Sequence, residues 1–370
     1  MEAGRNAALD RETQKAQFLT ASGLDQARRE VLSGDASTRR YERLHLESGA
    51  SLIFMDQPPS AETAPCPPDA NPKQREALGY NAMARLAAGR VDAFIAVAAW
   101  LRSQGLSAPD IIAHDAPAGL AVLEDLGDDL FATMIARGQV ETPLYESAVS
   151  ALARMHDATA PRLLTAAGDI AWPLLDYDEV ALKTAGDLLP EWLPKLRPQI
   201  RLGLEAVMAW EEIWTPIRAR AAAGASVFCH RDYHAENLIW LPDRRGASRA
   251  GLIDFQDAVR AHPAWDMSML LHDARRDISP DLETWVLERY FQLRPRVDRE
   301  AYLADFHALG ALNISRILGI FARLVSRDGK PRYAQFMPRL WGYLDRCLAD
   351  PDLAALKAWF DRHIPQDARQ

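Results

Sequence analysis

Apolar and polar positions follow two different rhythms on either side of about residue 124. Residues 1–10 are polar and read as poorly ordered, and residues 11–31 read as a helix. A small, polar stretch at 32–38 then reads as a tight loop. Runs of strand-like composition flank it at 41–46 and 51–55, joined by a turn at Glu47-Ser48-Gly49-Ala50. Pro58, Pro59, Pro65, Pro67, Pro68 and Pro72 crowd the next segment, a composition incompatible with helix or strand interiors. Residues 58–90 therefore read as an insertion. Helical spacing resumes over 73–104 as two helices broken around Gly89, and short apolar runs at 110–113 and 120–123, separated by a turn, read as further strands.

From Asp128 onward the pattern is mainly helical. Ile314, Ile317, Leu318, Phe321, Leu324 and Val325 recur at three- and four-residue spacing, as one buried face of a helix requires. The main interruption is 226–255, where two β-rich runs bracket a turn at 242–248. The expected architecture is α+β in two lobes: a small antiparallel sheet in residues 1–124, carrying the 58–90 insertion, and a larger, mainly helical lobe in 125–370.

Composition narrows the function. With 43 basic and 51 acidic residues the net charge is −8, which gives no electrostatic case for nucleic acid or an anionic membrane. The polar N-terminus is unlike a signal peptide, and no run of about 18 apolar residues predicts a membrane span. Cys66, Cys229 and Cys347 form neither a disulfide framework nor a zinc pattern, as suits a reducing, cytoplasmic setting.

The chemistry concentrates in Val227-Phe228-Cys229-His230-Arg231-Asp232-Tyr233-His234-Ala235-Glu236-Asn237-Leu238-Ile239-Trp240 and in Leu252-Ile253-Asp254-Phe255. Phosphoryl transfer needs an acceptor hydroxyl positioned, its proton accepted, and triphosphate charge neutralised. Asp232 suits the first two tasks as catalytic base. Asn237 offers an amide oxygen and Asp254 a carboxylate, hard ligands suited to Mg2+. Opposite arms of one β-hairpin would bring Asn237 and Asp254 to the same end. His230 reads as a buried brace of the loop, and His234 as a residue that either touches substrate or packs.

These segments resemble the aminoglycoside phosphotransferase and choline kinase superfamily, relatives of the protein kinases. In that family His-x-Asp-x-His-x-x-Asn is the catalytic loop and Ile-Asp-Phe carries a metal-binding Asp. The resemblance implies a two-lobed protein-kinase-like fold, ATP and Mg2+ as cofactors, Asp232 as base, and Asn237 and Asp254 as metal ligands. It extends to Leu152-Ala153-Arg154-Met155-His156, where His156 reads as structural, and to His262-Pro263-Ala264-Trp265-Asp266-Met267, where Asp266 is expected to cap a helix and brace the catalytic loop. By position, Gly34, Ser37, Thr38 and Arg40 would hold the phosphates, with Arg39 or Arg43 as further cations. Glu124 and Leu126 fall where backbone groups would meet adenine. One departure stands out: the strand Leu52-Ile53-Phe54-Met55-Asp56 lacks the Lys that usually pairs with the phosphates.

A narrower likeness concerns the acceptor. Gly34-Asp35-Ala36-Ser37-Thr38-Arg39-Arg40-Tyr41, Met55-Asp56-Gln57-Pro58-Pro59 and Arg316-Ile317-Leu318-Gly319-Ile320-Phe321-Ala322-Arg323-Leu324 are similar to bacterial anomeric amino-sugar kinases of cell-wall recycling, in which absence of that Lys is not unusual. This likeness implies N-acetylmuramate or N-acetylglucosamine as acceptor, phosphorylated at C1. Arg316 and Arg323, seven residues apart on one helix face, would offer a cation to the lactyl carboxylate, and His234 would lie nearby. Two other readings stay open: a kinase of an aminoglycoside, choline or another small alcohol, and a catalytically inactive kinase-like module that binds nucleotide.

Overall fold

The computed structural model describes residues 2–32, 39–58 and 65–369, with side chains from residue 10 onward. The first half begins with helix α1 (Glu2–Ala21) and strands β1 (Arg28–Leu32), β2 (Arg40–His45) and β3 (Ser51–Asp56). Helices α2 (Pro72–Leu78), α3 (Tyr80–Met83) and α4 (Val91–Ser103) follow, then β4 (Ile111–Asp115) and β5 (Leu120–Glu124). The five strands form one antiparallel sheet in the order β1-β2-β3-β5-β4.

The helix expected over 11–31 ends at Ala21, and residues 28–32 form a sheet strand. Arg28-Arg29-Glu30-Val31-Leu32 carries little strand signal of its own. Its conformation comes from pairing with β2, in a register that sets Val31 opposite Glu42. Tertiary pairing has overridden local propensity.

Strand alternation gives the sheet two apolar faces. Leu44, Phe54, Leu120 and Val122 point to one side, where Phe18 and Leu19 of α1 cover them. Met55, Ala121 and Leu123 point to the other side and join the main core. Two buried carboxylates on the α1 side are matched by cations of that helix: Arg11 to Asp56 at 2.6 Å and Lys15 to Glu42 at 2.7 Å.

The second half consists of α5 (Phe131–Ala136), α6 (Glu141–Asp157), a hairpin of β6 (Leu163–Ala166) and β7 (Ile170–Pro173), α7 (Glu179–Gly186), α8 (Leu188–Leu196) and α9 (Leu204–Ala223). After these come β8 (Val227–Cys229), β9 (Leu238–Trp240), β10 (Ala250–Leu252), β11 (Val259–Ala261), α10 (Ala264–Leu271), α11 (Pro280–Leu293), α12 (Arg299–Ser326), α13 (Met337–Cys347) and α14 (Ala354–His363). The two β-rich runs of 226–255 do not form one long hairpin. β9 pairs with β10, whereas β8 pairs with β11. The chain between β8 and β9 is thereby freed to act as a loop.

Helix α12 is the central strut of this half. By length and composition it could cross a membrane, but 67% of its most apolar window is buried inside the protein. Its apolar faces are taken by other helices, including α8, α10 and α13.

The described part of the insertion, 65–90, is bound into the rest of the molecule. Asn71 and Gln74 form a capping box at the start of α2, with Pro72 in the first turn. Arg75 is buried and donates to Asp178 at 2.6 Å, and Arg85 reaches the same carboxylate at 2.7 Å. Asp178 in turn caps α7 by accepting the N–H of Ala181.

At Gly319 of α12, a Cβ would lie 2.4 Å from the backbone carbon of Leu188. Helix propensity alone would favour alanine there, but α8 backbone cannot yield as a flexible side chain would. Gly319→Ala is expected to lower the stability measured by urea denaturation by about 1–3 kcal/mol.

Candidate active site

β8 is fully buried and delivers the chain to His230 at its end. Arg231 then adopts φ 78°, unusual for a residue with a side chain, and turns the backbone sharply. The turn is held from below by Asp266, on α10. Its carboxylate accepts the N–H of His230 at 2.6 Å and of Arg231 at 2.8 Å, and the Cys229 thiol at 3.0 Å. Asp266 does not cap its helix: the N-cap residue is Pro263, and the Asp266 side chain is spent on the loop. Burial pushes its carboxyl up to about 6, against the pull of those three donors.

Further contacts pin the loop laterally. Tyr233 Oη donates to the carbonyl of Ala148 on α6. Arg231 lies 4.7 Å from the Tyr177 ring and donates to the carbonyls of Ala84 and Arg85 in the insertion. Ala87 N–H, also in the insertion, donates to the half-buried carboxylate of Asp257 at 2.6 Å.

Asn237 Nδ2 donates to the Asp232 carbonyl at 2.9 Å and faces His234 Nε2 at 3.4 Å. The amide nitrogen is thus committed to the loop, and Oδ1 is the atom left for a cation. β9 and β10 place Leu238 opposite Leu252, and the next contact along, Ile253 N–H to the Asn237 carbonyl, sets Asp254 beside Asn237 at the same hairpin end. Asp254 has φ 60° and is partly exposed. Arg39 donates to its Oδ1 at 2.8 Å and to Gln256 Oε1 at 2.8 Å.

Asp232 is enclosed. Burial alone would raise its pKa, but His234, Arg316, His230 and Arg231 together hold it below the ordinary carboxylate value. His230 is pulled down to about 4, chiefly by burial, against the raising effect of Asp232 and Asp254. It is a neutral imidazole at physiological pH, and its Nδ1 faces the Asp232 N–H at 3.4 Å. His156 is likewise buried and neutral, bonded to Tyr290 Oη at 2.7 Å, away from this loop.

A cavity of about 170 Å³ opens beside Asp232, lined also by His234, Asp273, Arg275, Arg316 and Phe321. Arg316 is set by Asn313 Oδ1 at 3.0 Å and lies 5.7 Å from the Trp265 ring. Arg323 does not line this cavity; its guanidinium sits over Tyr80 of the insertion, 5.3 Å from the ring centre.

On the sheet, Arg40 is exposed, and alternation places it on the α1 side with Glu42 and Leu44, whereas Arg39 reaches Asp254. Arg43 is engaged by Asp125 at 2.6 Å and Asp128 at 2.7 Å. The Glu124 side chain is held by Arg244 at 2.6 Å, and Leu126 follows β5 at the junction between the sheet and the helical half. Gly34, Ser37 and Thr38 lie outside the described residues. Sequence reasoning missed Asp273 and Arg275, which sit in no motif, and the clamp formed by Arg231, the variable position of His-x-Asp.

The family model of the phosphotransferase enzyme family matches residues 28–303. The chain belongs to this family. Among relatives, an N-acetylmuramate/N-acetylglucosamine kinase of Caulobacter vibrioides is 64% identical over 98% of this chain and 99% of its own length. A protein of the same name from Pseudomonas aeruginosa is 30% identical over 88% and 85%. Among solved structures, a choline/ethanolamine kinase family protein of Mesorhizobium loti has the same two-lobed, kinase-like fold, with a TM-score of 0.54 at 14% identity over 94% and 98%. Membership of the family makes the chain a phosphotransferase, as the loop chemistry suggested.

The brace under the loop at 230–237 has a pH signature. Asp266 titrates near 6 in the folded chain and near 3.8 when unfolded, so its stabilising contribution is full below about 4 and is lost as pH rises through 6. Asp266→Asn keeps one acceptor but turns an amide donor toward the loop N–H groups, and turnover is expected to fall at least ten-fold. In urea titrations at pH 5 and 7.5, the stability gap between wild type and variant should narrow by about 1 kcal/mol at the higher pH.

Proposed function

We propose that this chain transfers the terminal phosphoryl group of ATP, with Mg2+, to the C1 hydroxyl of an amino sugar, N-acetylmuramate or N-acetylglucosamine, in cytoplasmic recycling of peptidoglycan. The observation that carries the reading is the enclosed, ionised Asp232 facing a cavity that also holds Arg316, in a chain 64% identical to a kinase named for these two sugars.

The residues present fit the cation. Asn237 Oδ1 and Asp254 supply two hard oxygens at one hairpin end. No cluster of three or more His, Cys, Asp or Glu that could hold a metal occurs among the described residues. A two-ligand site suits Mg2+, which keeps its remaining positions for phosphate oxygens and water. When bound, the ion neutralises charge on the triphosphate and orients it.

The chain's own side chains do the rest. Asp232 accepts a hydrogen bond from the acceptor hydroxyl, fixes it in line with the phosphorus, and takes its proton as the new P–O bond forms. His234 and Arg316 keep Asp232 ionised until then. Arg316 also offers a cation to the lactyl carboxylate of N-acetylmuramate. Arg39, which reaches Asp254 from the sheet, takes the place of the absent strand Lys and meets phosphate oxygens.

Purified protein with ATP, Mg2+ and each of N-acetylmuramate, N-acetylglucosamine, choline and kanamycin is expected to release ADP with the two sugars only. Release with the amines alone would replace this reading by an amino-alcohol or aminoglycoside kinase. Asp232→Asn should lower turnover by about 10²–10⁴-fold while ATP affinity changes only a few-fold.

For the nucleotide side, Arg39→Ala and Asp254→Ala should each weaken binding of Mg2+ with a non-hydrolysable ATP analogue by about ten-fold or more in calorimetry. Unchanged binding in Arg39→Ala would take that residue out of the phosphate site.

A further inference from the structure

The cavity beside Asp232 holds a second carboxylate that the reaction above does not use. Asp273 follows the end of α10 and is only 3% exposed. Its Oδ1 accepts the backbone N–H of Arg275 at 2.9 Å. Its Oδ2 is buried and has no hydrogen-bond partner among the described residues. A buried carboxylate oxygen without a donor is costly, and native structures keep such groups where a ligand completes them.

The neighbouring His272 also lines the cavity and has an Nδ1 without a partner among the described residues, but that nitrogen is turned elsewhere. Its ring packs 5.0 Å from Phe306 and 5.6 Å from Tyr343, and its Nε2 lies 3.9 Å from Cys347 Sγ. A Cβ on Gly310 would approach His272 Nδ1 to 3.1 Å, so that nitrogen faces α12 and not the cavity. His234 Nδ1 is likewise buried without a partner among the described residues, and His234 lines the cavity beside Asp232. Its Nε2 faces the Asn237 amide nitrogen at 3.4 Å, a contact that favours the tautomer with Nδ1 as the donor.

The polar lining is therefore mixed: carboxylates at Asp232 and at Asp273, whose Oδ2 has no partner among the described residues, donors at His234 and Arg316, and a second guanidinium at Arg275, held by Glu236 at 3.0 Å. An ammonium group could meet the two carboxylates but can accept nothing from His234 and faces two guanidinium groups as well. A hydroxyl both donates and accepts. Neighbouring hydroxyls of a sugar ring meet this lining on both counts.

We propose that Asp273 is a specificity-determining residue whose Oδ2 accepts hydrogen bonds from a ring hydroxyl of the acceptor sugar, away from the carbon that is phosphorylated. The inference rests on the amino-sugar reading above and goes further by naming the residue that reads the sugar's hydroxyl pattern. Asp273 is bound by no motif of the catalytic loop, and its Oδ1 bond to Arg275 fixes the carboxylate so that Oδ2 is presented in one direction.

The test compares N-acetylglucosamine with its 3-deoxy, 4-deoxy and 6-deoxy analogues, following ADP release by wild type, Asp273→Asn and Asp273→Ser. Asparagine keeps an oxygen for the Arg275 N–H and puts an NH2 donor in place of Oδ2. Serine can also accept from that N–H, and it serves where the amide disturbs folding. In wild type, one deoxy analogue should lose at least ten-fold in kcat/KM relative to the parent sugar. In the variants, kcat/KM for the parent should fall at least ten-fold through KM, and that same analogue should be within about three-fold of the parent. The KM for ATP and the melting temperature should stay close to wild type, a pattern that a merely structural turn residue would not give. Variants equal to wild type on N-acetylglucosamine, or analogues penalised alike in wild type and variants, overturn the proposal. Absence of ADP release from wild type with any N-acetyl sugar overturns the amino-sugar reading and this inference together. Sugar turnover indifferent to position 273 overturns the inference alone.

Discussion

The site depends on one buried carboxylate that does no chemistry. Asp266 sits under the turn at His230 and Arg231 and accepts both of their N–H groups. A turn at φ 78° is unfavourable for arginine, and two backbone donors buried without acceptors would each cost about 1–3 kcal/mol. Asp266 satisfies both donors with one rigid group on the first turn of α10. The direction of Asp232 follows from that, because it is the next residue along. The cost is a charge taken fully out of water, which is why the carboxyl is pushed up and not down. Precision at Asp232 is obtained against the local electrostatic preference of Asp266.

A second constraint ties the loop to the insertion. Arg231 could not be replaced by a shorter cation without losing two carbonyl acceptors, those of Ala84 and Arg85, 3.1 Å or less away. Those carbonyls are held in place in turn: Arg85 reaches Asp178, Arg75 reaches Asp178 and the carbonyls of Ala82 and Met83, and Ala87 reaches Asp257. Arg85 and Ala88 have φ near 55°, so the segment is bent against its own preference and kept there by these bonds. The proline-rich segment is therefore structurally continuous with the loop that carries Asp232, and Tyr80 extends the same contact to Arg323 on α12.

Legibility in the sequence followed the physical range of each signal. The strands β2, β3 and β5 and the long helix α12 were visible because alternation and three-to-four spacing are properties of one segment. β1 was not visible, since its charged sequence becomes a strand only against β2. The loop pieces Asp232, Asn237 and Asp254 could be picked out because their chemistry is local and their spacing unusual. The pairing of β8 with β11 could not, because three-residue strands leave the choice of partner to the surrounding core. At the cavity, His234 and Arg316 lie with Asp232, whereas Arg323, on the same face of α12 seven residues on, is captured by an aromatic ring of the insertion. Helix periodicity says which residues share a face but not what stands opposite each turn. Asp273 was silent for a related reason: a single Asp after a helix reads as a turn residue until burial shows that one of its oxygens has no partner among the described residues.

The environments of three desolvated carboxylates sort them into roles. Asp266 is buried, Asp232 and Asp257 are partly so, and desolvation pushes each of them toward the neutral acid. Only at Asp232 does the opposing pull prevail, because His234, Arg316, His230 and Arg231 act together there. At Asp257 the charges of Arg231 and Arg39 fall short of the burial penalty, and at Asp266 the opposing pull comes from hydrogen bonds alone. Groups of one chemical kind are thus driven apart by what surrounds them, which is how a folded chain assigns acid and base tasks. Asp232 stays ionised in an enclosed place, beside a cavity able to admit an alcohol. The other two serve as braces, one under the catalytic loop and one under the insertion.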